Sequence, residues 1–143
     1  MSLPTMEEAT RLLEEYQERL DRALQEGRKQ YESVFAAPPA GVGVHEIDTH
    51  RVITRVNRVE PDLLGYRPED MVGKAVLDFI VMSEASRRAI EKKLAGDVTL
   101  KPFVRTFRRA DGSAVLMGLV DRHLKDGQGR IVGIRTALTR VSH

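Results

Sequence analysis

The sequence predicts an α+β fold: a five-stranded antiparallel sheet with short helices on one face, preceded by a long N-terminal amphipathic helix. Three observations predict it. Met6, Ala9, Leu13, Tyr16, Leu20 and Ala23 recur at alternating spacings of three and four, which makes one apolar stripe along a helix. The pairs Asp111-Gly112 and Asp126-Gly127 separate runs of strand-forming residues, the pattern of hairpin turns. Between the first helix and these hairpins, Gly65, Pro68 and Gly73 divide the chain into pieces that hold only short helical turns. A length of 143 residues suits one domain with an appendage.

Residues 5 to about 35 read as one helix. Thr5 and Glu8 form a capping box that satisfies two orphan N–H donors. Glu7 and Arg11, Glu15 and Arg19, and Glu18 and Arg22 are i,i+4 pairs in the favourable order. The apolar stripe has heptad spacing, so Leu13, Tyr16 and Leu20 are expected in a two-helix seam, with a coiled-coil homodimer as the consequence. The alternative is that the stripe folds onto its own domain. Gly27 weakens the helix interior by about 1 kcal/mol against alanine, which predicts a bend. Residues 1–36 are thus set apart as a helical dimerisation segment, and residues 37–143 as the main domain. Pro38, Pro39 and Gly41 form the linker.

Val42 to Asp48 and Val52 to Val56 read as a strand hairpin. Asn57 follows, with a short polar side chain suited to hydrogen-bonding the backbone of the next turn. Pro61 to Leu64 predicts one helical turn closed by a left-handed Gly65. Pro68 opens a second turn, with Glu69 and Asp70 favourable at its start, and Gly73 ends it. Val76 to Val81 is buried by composition. Ser83 is expected to cap a helix running to about Ala95, with Ala85, Ala89, Ile90 and Leu94 facing inward. Lys101 to Arg109, Ser113 to Leu124 and Arg130 to Val141 complete the sheet, the last two as central strands.

Composition removes several classes of function. A net charge of +2 is too small to argue for nucleic acid. Arg87, Arg88, Lys92 and Lys93 are interrupted by Glu84 and Glu91 and read as a solvated helix face. The absence of cysteine excludes disulfides, thiolate catalysis and cysteine-ligated zinc, and fits a cytoplasmic protein. No apolar run approaches the roughly 20 residues of a membrane span, and no secretory signal is present. Met1-Ser2-Leu3 reads as a cloning remnant, and the abrupt end after a strand suggests a fragment of a longer protein. No Ser–His–Asp order, phosphate-binding glycine loop or calcium-loop spacing appears, so the chain is expected to be non-catalytic. A small enzyme on an α+β cup would need a nucleophile–base pair that the sequence does not offer.

Three segments carry a family resemblance. Asn57 followed by LLGYRPEDMVGK is similar to the pattern N…LTGYSREELIGK of PAS domains. FRRADGSAV at 107–115 resembles their RRKDGS hairpin, and DGQGRIVGI at 126–134 resembles their last hairpin. Together, in this order, they identify residues 31 to 141 as a PAS-like sensory domain. Members often end the last strand with Asp-Ile-Thr before a signalling helix, whereas the matching residues here are Ala137-Leu138-Thr139.

The resemblance implies a small-molecule site and lets each known cofactor be weighed. Cysteinyl-flavin and cysteine-anchored chromophores have no cysteine to bind, and residues 83 to 95 lack the histidine that commonly ligates haem. Flavin without an adduct stays open, although no tryptophan supports a stacking site. A small metabolite is left as the expected ligand, of unknown identity. By strand alternation His45 and Ile47 share one face, and Thr54 and Val56 share a face of the partner strand. Family placement adds Glu60, Leu64, Phe79, Phe107 and Met117. His45 and Glu60 are the expected polar groups of an otherwise apolar pocket; alternatively, His45 lies at the surface or is a hydrogen-bonded core residue. Asn57, Gly65, Gly73, Asp111 and Gly112 are structural. His50, His123 and His143 have no partner at metal-ligand spacing, and Asp121 with His123 reads as a surface pair.

The expected function is a sensory and dimerisation module of a bacterial signal-transduction protein, such as a two-component system. It would bind a small ligand and relay its state to an output domain outside the chain, a histidine kinase or a cyclase. The alternative is a ligand-free scaffold for protein–protein interaction and dimerisation.

Overall fold

A computed structural model describes residues 2–142; Met1, in the suspected cloning remnant, and His143 lie outside the described residues. Helix α1 (Met6–Glu26) starts on the expected capping box, with the Thr5 hydroxyl accepting from the Glu8 N–H at 3.1 Å and Glu8 Oε1 accepting from the Thr5 N–H at 2.9 Å. Of the three expected i,i+4 pairs, Glu7–Arg11 closes, at 3.9 Å, while Arg19 lies over the Tyr16 ring instead. The helix breaks at Gly27, whose φ of 138° favours glycine, and α2 (Arg28–Ala36) continues.

The hairpin β1 (Gly43–Asp48) and β2 (Ile53–Val56) leads to α3 (Val59–Leu64). Two 3-10 turns, Pro68–Asp70 and Val76–Phe79, precede α4 (Ser83–Leu94). Ser83 is the first residue of α4 and makes no capping bond, because the capping position falls on Met82. Strands β3 (Phe103–Arg108), β4 (Ala114–Lys125) and β5 (Ile131–Arg140) follow. The sheet order is β2-β1-β5-β4-β3, antiparallel throughout, so β4 and β5 are central as expected. The Asp111-Gly112 turn forms with Asp111 accepting from the Ser113 N–H at 2.9 Å and with Gly112 at φ 88°.

The sheet has two covered faces. On the inner face α3, α4 and the 3-10 turns enclose a core that includes Leu64, Phe79, Phe107 and Met117. On the outer face α1 crosses β4 and β5, and Leu13, Tyr16 and Leu20 pack with Tyr31, Val44, Val120 and Ala137. Here the structure corrects the dimer seam. Leu13, Tyr16 and Leu20 are 0% exposed in a single chain, so these side chains have no surface left for a second helix. Heptad spacing specifies one apolar stripe, and a twisted sheet satisfies it as well as a helix does. Each of these side chains contributes about 1.5–3 kcal/mol by leaving water.

Candidate functional site

The inner face carries a buried polar patch. His45 on β1 and Glu60 on α3 are 3% and 1% exposed, and His45 Nδ1 lies 2.7 and 2.9 Å from the two Glu60 carboxylate oxygens. Local sequence brings them together. Asn57 Oδ1 accepts from the Val44 N–H at 3.2 Å and from the Glu60 N–H at 3.1 Å, while Nδ2 donates to the Val42 carbonyl at 3.1 Å. Asn57 therefore pins the start of α3 to β1, as the sequence led one to expect. Gly43 completes the approach: a Cβ there would lie 2.7 Å from Glu60 Cβ and 3.0 Å from Glu60 Cα.

Burial alone would push the His45 pKa down. The Glu60 charge and hydrogen bond outweigh it, Asp121 adds to them and Arg105 opposes, so the imidazole is held above its usual value. The shift favours the imidazolium form of His45 beside the Glu60 carboxylate.

A second acid lies further along the same face. Asp121 on β4 is 5% exposed; it accepts from the Thr136 hydroxyl at 2.6 Å and pairs with Lys93 Nζ at 2.8 Å. Lys93 reaches in from α4 with its ammonium 3.6 Å from the Phe103 ring centroid. Arg105 on β3 stacks at 4.7 Å over the same ring. Burial lowers the Arg105 pKa more than the Asp121 charge raises it, and its guanidinium donates no hydrogen bond among the described residues. His45, Ile47, Arg105, Phe107, Asp121 and Thr136 surround a cavity of about 10 Å³, the room that one water needs.

Among the described residues no cluster of three His, Cys, Asp or Glu side chains could hold a metal ion, and no helix is long and apolar enough to cross a membrane. The chemistry available at the patch is ion pairing, hydrogen bonding and proton uptake.

The sequence matches the family model of the PAS fold over residues 12–139. This chain belongs to the PAS family. Solved PAS domains share its fold. The PAS domain of a protein from Colwellia psychrerythraea superposes with a TM-score of 0.68 at 15% identity, covering 79% of this chain and 95% of that one. The PAS domain of an HTR-like protein from Haloarcula marismortui gives 0.64 at 18% identity, covering 87% and 99%. The PAS domain of the Cronobacter turicensis RpfR quorum-sensing receptor, in complex with BDSF, gives 0.61 at 17% identity, covering 74% and 99%. No curated protein matches the chain in sequence.

Within this PAS domain the expected site residues separate into groups. His45, Ile47 and Phe107 line the inner cavity, and Glu60 holds His45. Leu64, Phe79 and Met117 belong to the surrounding core, and half-buried Val56 packs against it. Thr54 is a correction. It is exposed, and its hydroxyl donates to the Glu46 carbonyl at 3.2 Å. The register steps from Glu46↔Arg55 to Ile47↔Ile53, which makes Thr54 the extra residue of a β-bulge and breaks the alternation.

Asp121 and His123 are also corrected. Asp121 is buried, and both residues meet Lys93 rather than each other, His123 through Nε2 lying 2.8 Å from the Lys93 carbonyl oxygen. Lys93, expected on a solvated face, turns inward. Sequence reasoning missed Arg105, Thr136 and Lys93 as members of the patch. The available signal was a charge at Arg105 between Phe103 and Phe107, at the same alternating parity of one strand.

Proposed function

We propose that this PAS sensory domain takes up a small ligand at the inner patch and relays its state, in a bacterial signal-transduction protein, to an output domain outside the chain. The observation that carries the reading is the buried His45–Glu60 pair, which lies directly behind the outer-face contacts of β1. His45 pairs with Thr136 across the β1–β5 ladder, and the next pair is Glu46 with Arg135. Glu46 accepts from the Tyr31 hydroxyl and Arg135 donates to Gln17 and Asp21. A ligand that shifts the inner row thus has a short path to α1 and α2. The RpfR neighbour, a quorum-sensing receptor PAS domain in complex with BDSF, supports the class of function. Taking up a ligand larger than water requires the inner cavity to open, a conformational selection of an expanded state. The domain itself is read as non-catalytic.

A second reading, a ligand-free interaction scaffold, draws on the same cavity of about 10 Å³, because a filled core needs no cargo. Native mass spectrometry of the purified chain, before and after denaturation, separates the two. Non-covalent mass that disappears on denaturation supports ligand sensing. A bare chain that also takes up nothing from a metabolite mixture supports the scaffold.

A further inference from the structure

Arg105 faces a second space. Besides the inner cavity it lines an open groove of about 330 Å³ between α4 and β3. Met82, Ala89, Val104 and Leu116 give this groove apolar walls, with Met82 65% and Val104 50% exposed. Arg105, Ser86 and Thr106 are its polar lining residues. Neither the Arg105 guanidinium nor the Ser86 or Thr106 hydroxyl has a hydrogen-bond partner among the described residues. Yet no fully buried side-chain nitrogen or oxygen among those residues lacks a partner. The free donors of Arg105 and Ser86 must therefore reach open space, and the groove is the open space they share.

Charge pairing points the same way. His45 is matched by Glu60, and Lys93 by Asp121. The acid nearest to Arg105, Asp121, already accepts from Thr136 and Lys93. One positive charge stays unmatched in a partly desolvated position, and a guanidinium stays ionised there.

We propose that this groove binds a monocarboxylate with a short apolar tail, its carboxylate on Arg105 and the Ser86 hydroxyl and its tail along Met82, Ala89, Val104 and Leu116. A planar guanidinium pairs with a carboxylate through two parallel N–H···O bonds. A volume near the lower end of small-molecule sites, roughly 300 Å³, fits a tail of a few carbons. A monoanion balances the one unmatched charge. The site lies outside the inner cavity, so its failure would leave the ligand-sensing reading of that cavity standing.

Hexanoate, titrated into the ¹⁵N-labelled chain and followed by amide shifts, tests the proposal. Saturable shifts are expected at Ser86, Val104 and Arg105, with hexanol binding at least about tenfold more weakly, the equivalent of about 1.4 kcal/mol. Arg105→Gln should weaken hexanoate binding about tenfold or more. Val104→Glu should do the same by repulsion, and as a substitution at an exposed position it keeps the test valid if Arg105→Gln fails to fold. The proposal is overturned by the absence of saturable shifts, by equal binding of hexanol, by shifts centred on His45 and Ile134, or by unchanged affinity in Val104→Glu.

Discussion

On the outer face of the sheet Arg135 is 1% exposed, and each guanidinium nitrogen has a partner. Nε donates to Gln17 Oε1 at 2.6 Å, Nη1 to the Tyr31 hydroxyl at 3.4 Å, and Nη2 to the Gln17 carbonyl at 3.2 Å and to Asp21. Gln17 in turn donates to the carbonyls of Val120 and Arg135 at 2.8 and 2.9 Å. On the inner face the second arginine of the sheet core, Arg105, donates to nothing among the described residues, and the cavity beside it has room for one water. Buried charge that is fully partnered holds elements in one arrangement. Half-buried charge with spare donors, as at Arg105, can still respond. The outer face therefore acts as a latch on α1, and the inner face as the part free to change.

The largest effect expected from breaking this contrast is at the latch. Arg135→Ala orphans the buried Gln17 oxygen and opens a cavity under α1, and should cost about 3–5 kcal/mol in urea unfolding, with little from Asp21, which is half exposed and also lies near Arg122. A loss under 1 kcal/mol would mean that the latch is ornamental. Next comes Leu20→Ala, which opens a cavity between α1 and the sheet and should cost about 2–4 kcal/mol. Its midpoint should not depend on protein concentration, because the side chain is buried within one chain; a concentration-dependent midpoint would restore the two-helix seam.

The inner face should respond less in stability but more to pH. Glu60→Gln should cost about 1–3 kcal/mol near pH 6. His45 is held above its unfolded value, so the pair stabilises fully below about pH 6.5, and that stabilisation is lost as pH rises through the higher folded value. Wild-type stability should thus fall on going up through that window, and Glu60→Gln should flatten the fall. Equal slopes in both proteins would assign the pH dependence elsewhere.

Much of the framework was legible because it rests on local chemistry. Thr5 with Glu8, the break at Gly27, Asn57 with the following turn, the left-handed Gly65, the stop at Gly73 and the Asp111-Gly112 hairpin each depend on residues close in sequence. His45 and Glu60 were legible as polar groups of the inner face through family placement together with strand parity, whereas their pairing with each other was not. The misreadings share a different cause. Thr54 was misplaced by a bulge whose extra residue carries no signal in strand alternation. Lys93 looked solvated because a long side chain can reach inward from a helix that otherwise faces water.

The partner of the α1 stripe was a long-range fact as well, yet clues to it were present. Gln17 beside the stripe is the polar group that meets Arg135, and Ala137 replaces the family's aspartate under the helix, where it is 0% exposed. At Gly118 a Cβ would lie 2.7 Å from the Met6 sulfur, so that glycine admits the start of α1. Small and uncharged residues at those strand positions are what a covered sheet face requires.

The most direct test of the inner face as the responsive element is the NMR titration of the His45 imidazole, in the wild-type chain and in Glu60→Gln. The account predicts that His45 titrates above the usual value of about 6.5 in the wild type, and that it drops in the variant, where burial acts without a carboxylate to oppose it. A wild-type value at or below 6.5, or one that Glu60→Gln leaves in place, would contradict it.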